Sequence, residues 1–95
     1  MTVEELKTEL EGIVSGLSAT GFGSMDSGIP AKAEKLAAAA GELNMKEGKR
    51  LIENLLNSIK AIQEGKSKAE SGDVRLTALD FYVKKLSDYG NIEDL

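Results

Sequence analysis

The sequence contains no histidine, no cysteine and no tryptophan, and it has a single proline. Without cysteine there is no disulfide, no thiolate metal site and no cysteine nucleophile. Without histidine the chain lacks the most common general base, and it lacks the imidazole that zinc, haem and di-iron sites use. We therefore predict no catalytic residues, no metal site and no cofactor, and we do not expect an enzyme.

The balance of charge excludes a second group of functions. The formal net charge is −4 and the isoelectric point is near 4.8. An acidic chain is unsuited to nucleic acid, because phosphate neutralisation supplies much of that affinity. No stretch approaches the roughly 18 apolar residues that a membrane span needs. The segment MTVEELKTEL at the start is acidic and does not resemble a signal peptide, so the expected location is the cytoplasm.

The remaining composition is that of a soluble folded protein. Apolar residues make up 41% of the 95 residues and charged residues 29%. This length is typical of one domain with one hydrophobic core, so we expect residues 1–95 to form a single helical-bundle domain. With few aromatic residues, that core must be mainly aliphatic and rich in alanine.

The first helix is predicted over residues 3–17. Thr2 and Glu5 have the spacing of a capping box, in which a hydroxyl and a carboxylate satisfy first-turn amides. Residues 18–29 are rich in glycine and serine and are predicted to form a loop. We expect Phe22 within this loop to pack onto the core.

Pro30 fits the first turn of a second helix, where its missing amide hydrogen has no intrahelical partner to lose. The second helix is predicted over residues 30–43. The strongest amphipathic pattern follows at Met45–Glu64, and it predicts the helix around which the others pack.

The end of the third helix has two interpretations. Gly65 either caps the helix or lies inside a longer one. The second interpretation is favoured by the charge pair Glu64–Lys68 and by the apolar phase of Ala69, and it predicts a helix over 45–70.

The fourth helix is predicted over residues 74–89, with 71–73 as the turn before it and 90–95 as a tail. Its apolar positions are unusually many and spread widely around the helix. They are residues 74, 76, 78, 79, 81, 82, 83, 86 and 89. No segment alternates as a strand does, so we predict an all-α protein, a compact four-helix up-down bundle.

Basic residues mark one side of the third helix. Lys46, Lys49, Arg50 and Lys60 predict a docking face for an acidic surface of another protein. The function expected from the residues is thus a non-catalytic interaction or adaptor domain. Two alternatives are an obligate homo-oligomeric structural protein, possible as a homodimer, that buries the wide apolar stripe of the fourth helix, and a small enzyme that uses carboxylates, lysine or tyrosine.

The segment Ala33–Gly41, followed by Leu43 and Leu51–Gly65, resembles the central helical hairpin of histidine-containing phosphotransfer (HPt) domains. Those four-helix domains exchange phosphoryl groups with receiver domains. Their signature is a histidine with lysine and glycine three and four residues later, and Glu34, Ala37 and Ala38 occupy these positions here. The resemblance implies a relative that cannot be phosphorylated and that binds a receiver domain without phosphotransfer.

A second alignment with the HPt family runs through residues 71–73 and Val74–Leu86, and it places Phe81 or Tyr82 at the histidine position. The pattern from Leu51 to Leu86 is also similar to the four-helix flagellar export chaperones, which implies an export-type chaperone as a further alternative.

Overall fold

The computed structural model describes residues 1–89, which form four α-helices joined by short connections. The helices are α1 (Val3–Thr20), α2 (Ile29–Glu42), α3 (Lys46–Gln63) and α4 (Ala69–Tyr89). A 3₁₀ turn at Phe22–Ser24 lies between α1 and α2, and residues 1–89 form no strand. The predicted all-α four-helix bundle is confirmed. The predicted tail, residues 90–95, lies outside the described residues.

Helix α1 begins as predicted and ends three residues later than predicted. The Thr2 hydroxyl accepts a hydrogen bond from the Glu5 amide at 3.1 Å, and the Glu5 carboxylate accepts one from the Thr2 amide at 3.1 Å. The capping box is therefore confirmed. The helix continues to Thr20 because nothing before Gly21 breaks it, and Gly21 (φ +74°) closes it by donating to the Leu17 carbonyl.

The connection from α1 to α2 is shorter and more ordered than the predicted loop 18–29. Phe22 is buried, as expected, and Met25 and Ile29 pack against the core. The carboxylate of Asp26 accepts a hydrogen bond from the Gly28 amide at 2.8 Å, which forms a local turn. Helix α2 then starts at Ile29, with Pro30 in its first turn.

Helix α2 ends in a left-handed cap at Asn44, whose φ is +60°. The amide of Met45 donates to the Ala40 carbonyl at 2.9 Å, and the amide of Asn44 donates to Gly41 at 3.1 Å. This pair of bonds is a Schellman motif, which satisfies the last carbonyls of a helix. Met45, buried at 2% exposure, precedes α3 without a side-chain cap.

The favoured prediction of a third helix over 45–70 is wrong, and α3 ends at Gln63. Gly65 has φ +76°, a conformation that other residues rarely adopt. The Lys66 amide donates to Ala61 at 2.8 Å and the Gly65 amide donates to Ile62 at 3.1 Å, so Gly65 forms a second Schellman motif. The capping role of Gly65 was the other interpretation of the sequence.

The predicted start of the fourth helix at residue 74 is also wrong, because α4 begins at Ala69 and includes residues 71–73. Gly72 is buried within α4 and lies against the ring of Phe22. Absence of a side chain at this position lets α4 approach the 3₁₀ turn closely. This glycine is a packing residue and not part of a turn.

Contacts between neighbouring helices show that they run antiparallel. Near its start, α3 meets the end of α2, where the Lys49 side chain lies along Gly41. Near its end, α3 meets the start of α2, where Lys60 pairs with Glu34 at 3.1 Å. Likewise α4 meets the 3₁₀ turn that follows α1 near Gly72, and it meets the start of α3 near Tyr82. Helix α1 packs on both α2 and α4, which closes the bundle.

The core is aliphatic and continuous. Its fully buried large side chains come from all four helices and from the connection before α3: Leu6, Leu10, Leu17, Leu36, Met45, Ile52, Leu55, Ile59 and Leu79. Alanines of α2 are buried in this core, as the alanine-rich sequence predicted, and α2 packs on both α3 and α1. Among the side chains described, none that carries a formal charge is buried.

Candidate protein-docking surface

The four basic residues predicted to form a docking face lie on one side of α3, but they do not form a free basic stripe. Lys60 is paired with Glu34 of α2 at 3.1 Å, and Arg50 is paired with Glu47 one turn earlier. The stem of Lys49 lies along the backbone of Gly41. Lys46 is exposed at the start of the helix. Two of the four charges are thus balanced by carboxylates within the bundle.

The Glu47–Arg50 pair is exposed and local. The hydrogen bond from Arg50 lowers the pKa of the Glu47 carboxyl and raises the pKa of the guanidinium. Exposed pairs of this kind contribute little to stability, because water and salt screen them. The pair is significant for its location at the mouth of a groove between α3 and α4.

This groove, which we call the α3–α4 groove, has a volume of about 710 Å³. Its walls carry large apolar side chains together with a few charges at the rim. Glu47, Arg50 and Leu51 line it from α3, and Val74, Thr77, Ala78, Phe81, Tyr82 and Lys85 line it from α4. Val74 is 67% exposed and Phe81 is 61% exposed, although both belong to a helix that packs on two others.

Helix α4 has two apolar faces. Leu76, Leu79 and Val83 are buried against the other helices. At about 100° per residue, Val74 and Phe81 lie roughly 170° away from the centre of that buried face. The second face is therefore open to solvent, and Lys85 borders it with its Nζ atom 5.0 Å from the centre of the Phe81 ring.

Tyr82 forms the floor of the α3–α4 groove and is 4% exposed. Its ring lies against Gly48 of α3, where a side chain would leave no room for it. Burial raises the pKa of the Tyr82 hydroxyl, and the nearby backbone of Gly48 offsets part of that effect. The hydroxyl oxygen has no hydrogen-bond partner of good geometry among the described residues.

The titratable side chains that line the groove are Glu47, Arg50, Tyr82 and Lys85. The phenol of Tyr82 faces the backbone of Gly48. In residues 1–89, acidic side chains do not gather in threes where a metal ion could bind. The groove thus presents an apolar surface with charged side chains at its rim.

The apolar stripe of the fourth helix supports one alternative from the sequence, a homo-oligomer, and is not part of the predicted docking face. Residues 74 and 81 were counted within one wide stripe of the fourth helix. The width of this apolar stripe was the signal for a second exposed face. When apolar residues occupy most sides of a helix, a single core cannot cover all of them. The predicted docking face therefore has Arg50 in common with the groove, while Lys49 and Lys60 turn towards α2.

None of the helices in the described part of the chain has the length and apolar character needed to cross a membrane. Comparison with protein-family models, with curated proteins and with solved structures finds no match to this chain.

Proposed function

We propose that this chain is a non-catalytic protein-interaction domain that binds its partner through the α3–α4 groove. The observation that supports this most directly is the exposure of Val74 and Phe81 on one face of α4. Single exposed apolar residues are common, but two large ones about two turns apart on one stripe, beside a groove, are typical of binding surfaces.

The chemistry of the surface agrees with a protein partner. Aromatic side chains are enriched in the centres of protein interfaces, and Phe81 supplies one here. Arg50 and Lys85 at the rim supply charge that orients a partner without being buried themselves. The basic residues predicted on α3 extend this rim towards α2 through Lys46 and Lys49.

The proposal is tested by photocrosslinking in cells of the native host. A photoreactive phenylalanine derivative replaces Phe81, and the same derivative at Lys35 serves as a control, because Lys35 is exposed on α2 outside the groove. We expect protein adducts from position 81 that do not form from position 35. A second variant, Val74→Glu, should abolish those adducts, because it places a charge in the apolar face.

Absence of adducts at position 81, or the same adducts from both positions, would contradict the proposal. The identity of the adduct separates the kinds of partner. A receiver-domain protein would favour the HPt-like adaptor, an exported protein would favour the chaperone, and an adduct of the chain with itself would favour self-association.

A further inference from the structure

Six residues along one side of α4 follow a symmetric order of chemical types. We define the α4 stripe as Glu70, Val74, Thr77, Ala78, Phe81 and Lys85, which lie within about 100° of one another around the helix. From one end to the other, the stripe reads acid, large apolar, two small residues, large apolar, base. From Lys85 back to Glu70, the stripe has the same order of residue types, except that the acidic and basic ends are exchanged.

A stripe of this order is complementary to itself when two copies run antiparallel. With a two-fold axis between Thr77 and Ala78, Val74 of each copy lies opposite Phe81 of the other. Glu70 of each copy then lies opposite Lys85 of the other. The small residues at the centre let the two helices approach closely, as small residues do at helix crossings.

Resting on the proposed function of the α3–α4 groove, we propose that the partner is a second copy of this chain, bound in a two-fold dimer with α4 antiparallel to α4. A two-fold interface uses the same patch on both subunits, so each favourable pair occurs twice. The dimer covers Val74 and Phe81 of both copies, which the isolated bundle leaves 67% and 61% exposed.

The distribution of charge favours this partner over others. A uniformly acidic partner helix would match Lys85 but would place like charge against Glu70, and a uniformly basic one would do the reverse. A second, antiparallel copy places an opposite charge against both Glu70 and Lys85 of the stripe. The contact is a single helical face, so its area falls in the low range of interfaces, below about 1,200 Å² in total, and a weak dimer is expected.

Sedimentation velocity of the purified chain over a range of concentrations measures the dimer directly. We expect a reversible monomer–dimer equilibrium. Glu70→Lys alone and Lys85→Glu alone should each raise the dissociation constant by roughly tenfold, because each places like charges opposite one another twice. The double exchange Glu70→Lys with Lys85→Glu restores opposite charges and should return the dissociation constant to that of the unaltered chain.

A matched charge reversal, Lys35→Glu on α2, controls for the change in net charge and should leave the equilibrium unchanged. Thermal unfolding followed by circular dichroism shows whether each variant is folded. A chain that is monomeric at every concentration, or a dimer that the two single reversals do not weaken, would refute the inference.

Disulfide trapping gives a second measurement that does not depend on the charges. The chain has no cysteine, so one introduced thiol can pair only with its copy in another molecule. Ala78→Cys lies beside the proposed axis and should form a covalent dimer rapidly under mild oxidation. Ala38→Cys, on the exposed side of α2, is the matched control and should react at the slower rate of random collision.

Equal rates for the two cysteine variants would also refute the inference. The outcome is separable from that of the proposed function. A monomeric chain whose position 81 still crosslinks to another protein in cells would overturn the dimer and retain the docking surface, whereas a monomer without crosslinks would overturn both.

Discussion

Replacing Gly72 by alanine should destabilise the protein, although the same change stabilises most helices. A Cβ atom at this position would lie 2.6 Å from Cζ of Phe22 and 2.8 Å from its Cε1 and Cε2 atoms. No such contact is tolerated, so the ring or the helix has to move. Phe22 is only 5% exposed and is enclosed by the core, so the ring has no free direction.

The magnitude follows from two opposing contributions. Alanine is better than glycine in a helix interior by about 1 kcal/mol. Displacing the Phe22 ring loses much of its burial, which is worth about 1.5–3 kcal/mol for a large apolar side chain. The clash therefore outweighs the helix propensity, and we expect the free energy of unfolding to fall by about 0.5–2 kcal/mol.

Urea unfolding followed by circular dichroism measures this change. Gly12→Ala and Gly16→Ala are matched controls, because both glycines lie inside α1 with nothing within 4 Å of an added Cβ. Each control should raise the free energy of unfolding by about 1 kcal/mol. Combining Gly72→Ala with Phe22→Leu should recover part of the loss, because leucine lacks the ring atoms that clash.

If Gly72→Ala stabilises the protein as much as the two controls do, Phe22 does not pack on α4 and the reasoning fails. The same conclusion follows if the changes in unfolding free energy of Gly72→Ala and Phe22→Leu simply add in the double variant. Residues in contact show a coupling energy in a double-mutant cycle.

Four further changes test other parts of the structure in the same unfolding assay. Gly65→Ala should cost about 1 kcal/mol, because alanine is strained at φ +76°, and no loss would argue against the Schellman motif. Leu55→Ala removes a fully buried side chain and should cost about 2–5 kcal/mol, whereas a cost near zero would place that residue at the surface. Tyr82→Phe removes a hydroxyl without a partner and should leave stability unchanged or raise it by up to about 1 kcal/mol, while a clear loss would reveal a hydrogen bond. Thr2→Ala should cost about 1 kcal/mol at neutral pH. Hydrogen bonds from Thr2 lower the pKa of the Glu5 carboxyl. The carboxylate therefore adds to the free energy of unfolding above the ordinary glutamate pKa, and this stabilisation is lost as the pH falls through the lowered pKa. If Thr2→Ala costs as much in strong acid as at neutral pH, the Glu5 carboxylate takes no part in the cap.

Part of the fold follows from short-range pattern. The helical period of α3 is visible because its apolar and polar residues separate cleanly. The start of α1 is visible because a capping box needs only Thr2 and Glu5 at fixed spacing. Pro30 marks the first turn of α2 for an equally local reason, since proline lacks the amide that later turns require. Each signal lies within one or two turns of chain.

Neighbouring residues in the sequence do not show what a glycine does in the fold. Gly65 and Gly72 are the same residue type in one short segment, and they perform opposite tasks. The first ends α3 in a left-handed conformation, and the second lies inside α4 so that Phe22 can approach. The sequence offers no side chain by which to distinguish them, so the prediction placed one inside a helix and the other in a turn.

The sequence by itself determined that this protein is an all-α bundle with an aliphatic core, because helix periodicity and composition are properties of the chain alone. Only the tertiary structure decided which apolar residues of α4 are covered. The neighbouring helices occupy one side of α4, so Leu79 is buried while Val74 and Phe81 are left in solvent. Apolar character is fixed by residue type, but exposure depends on what packs against the residue.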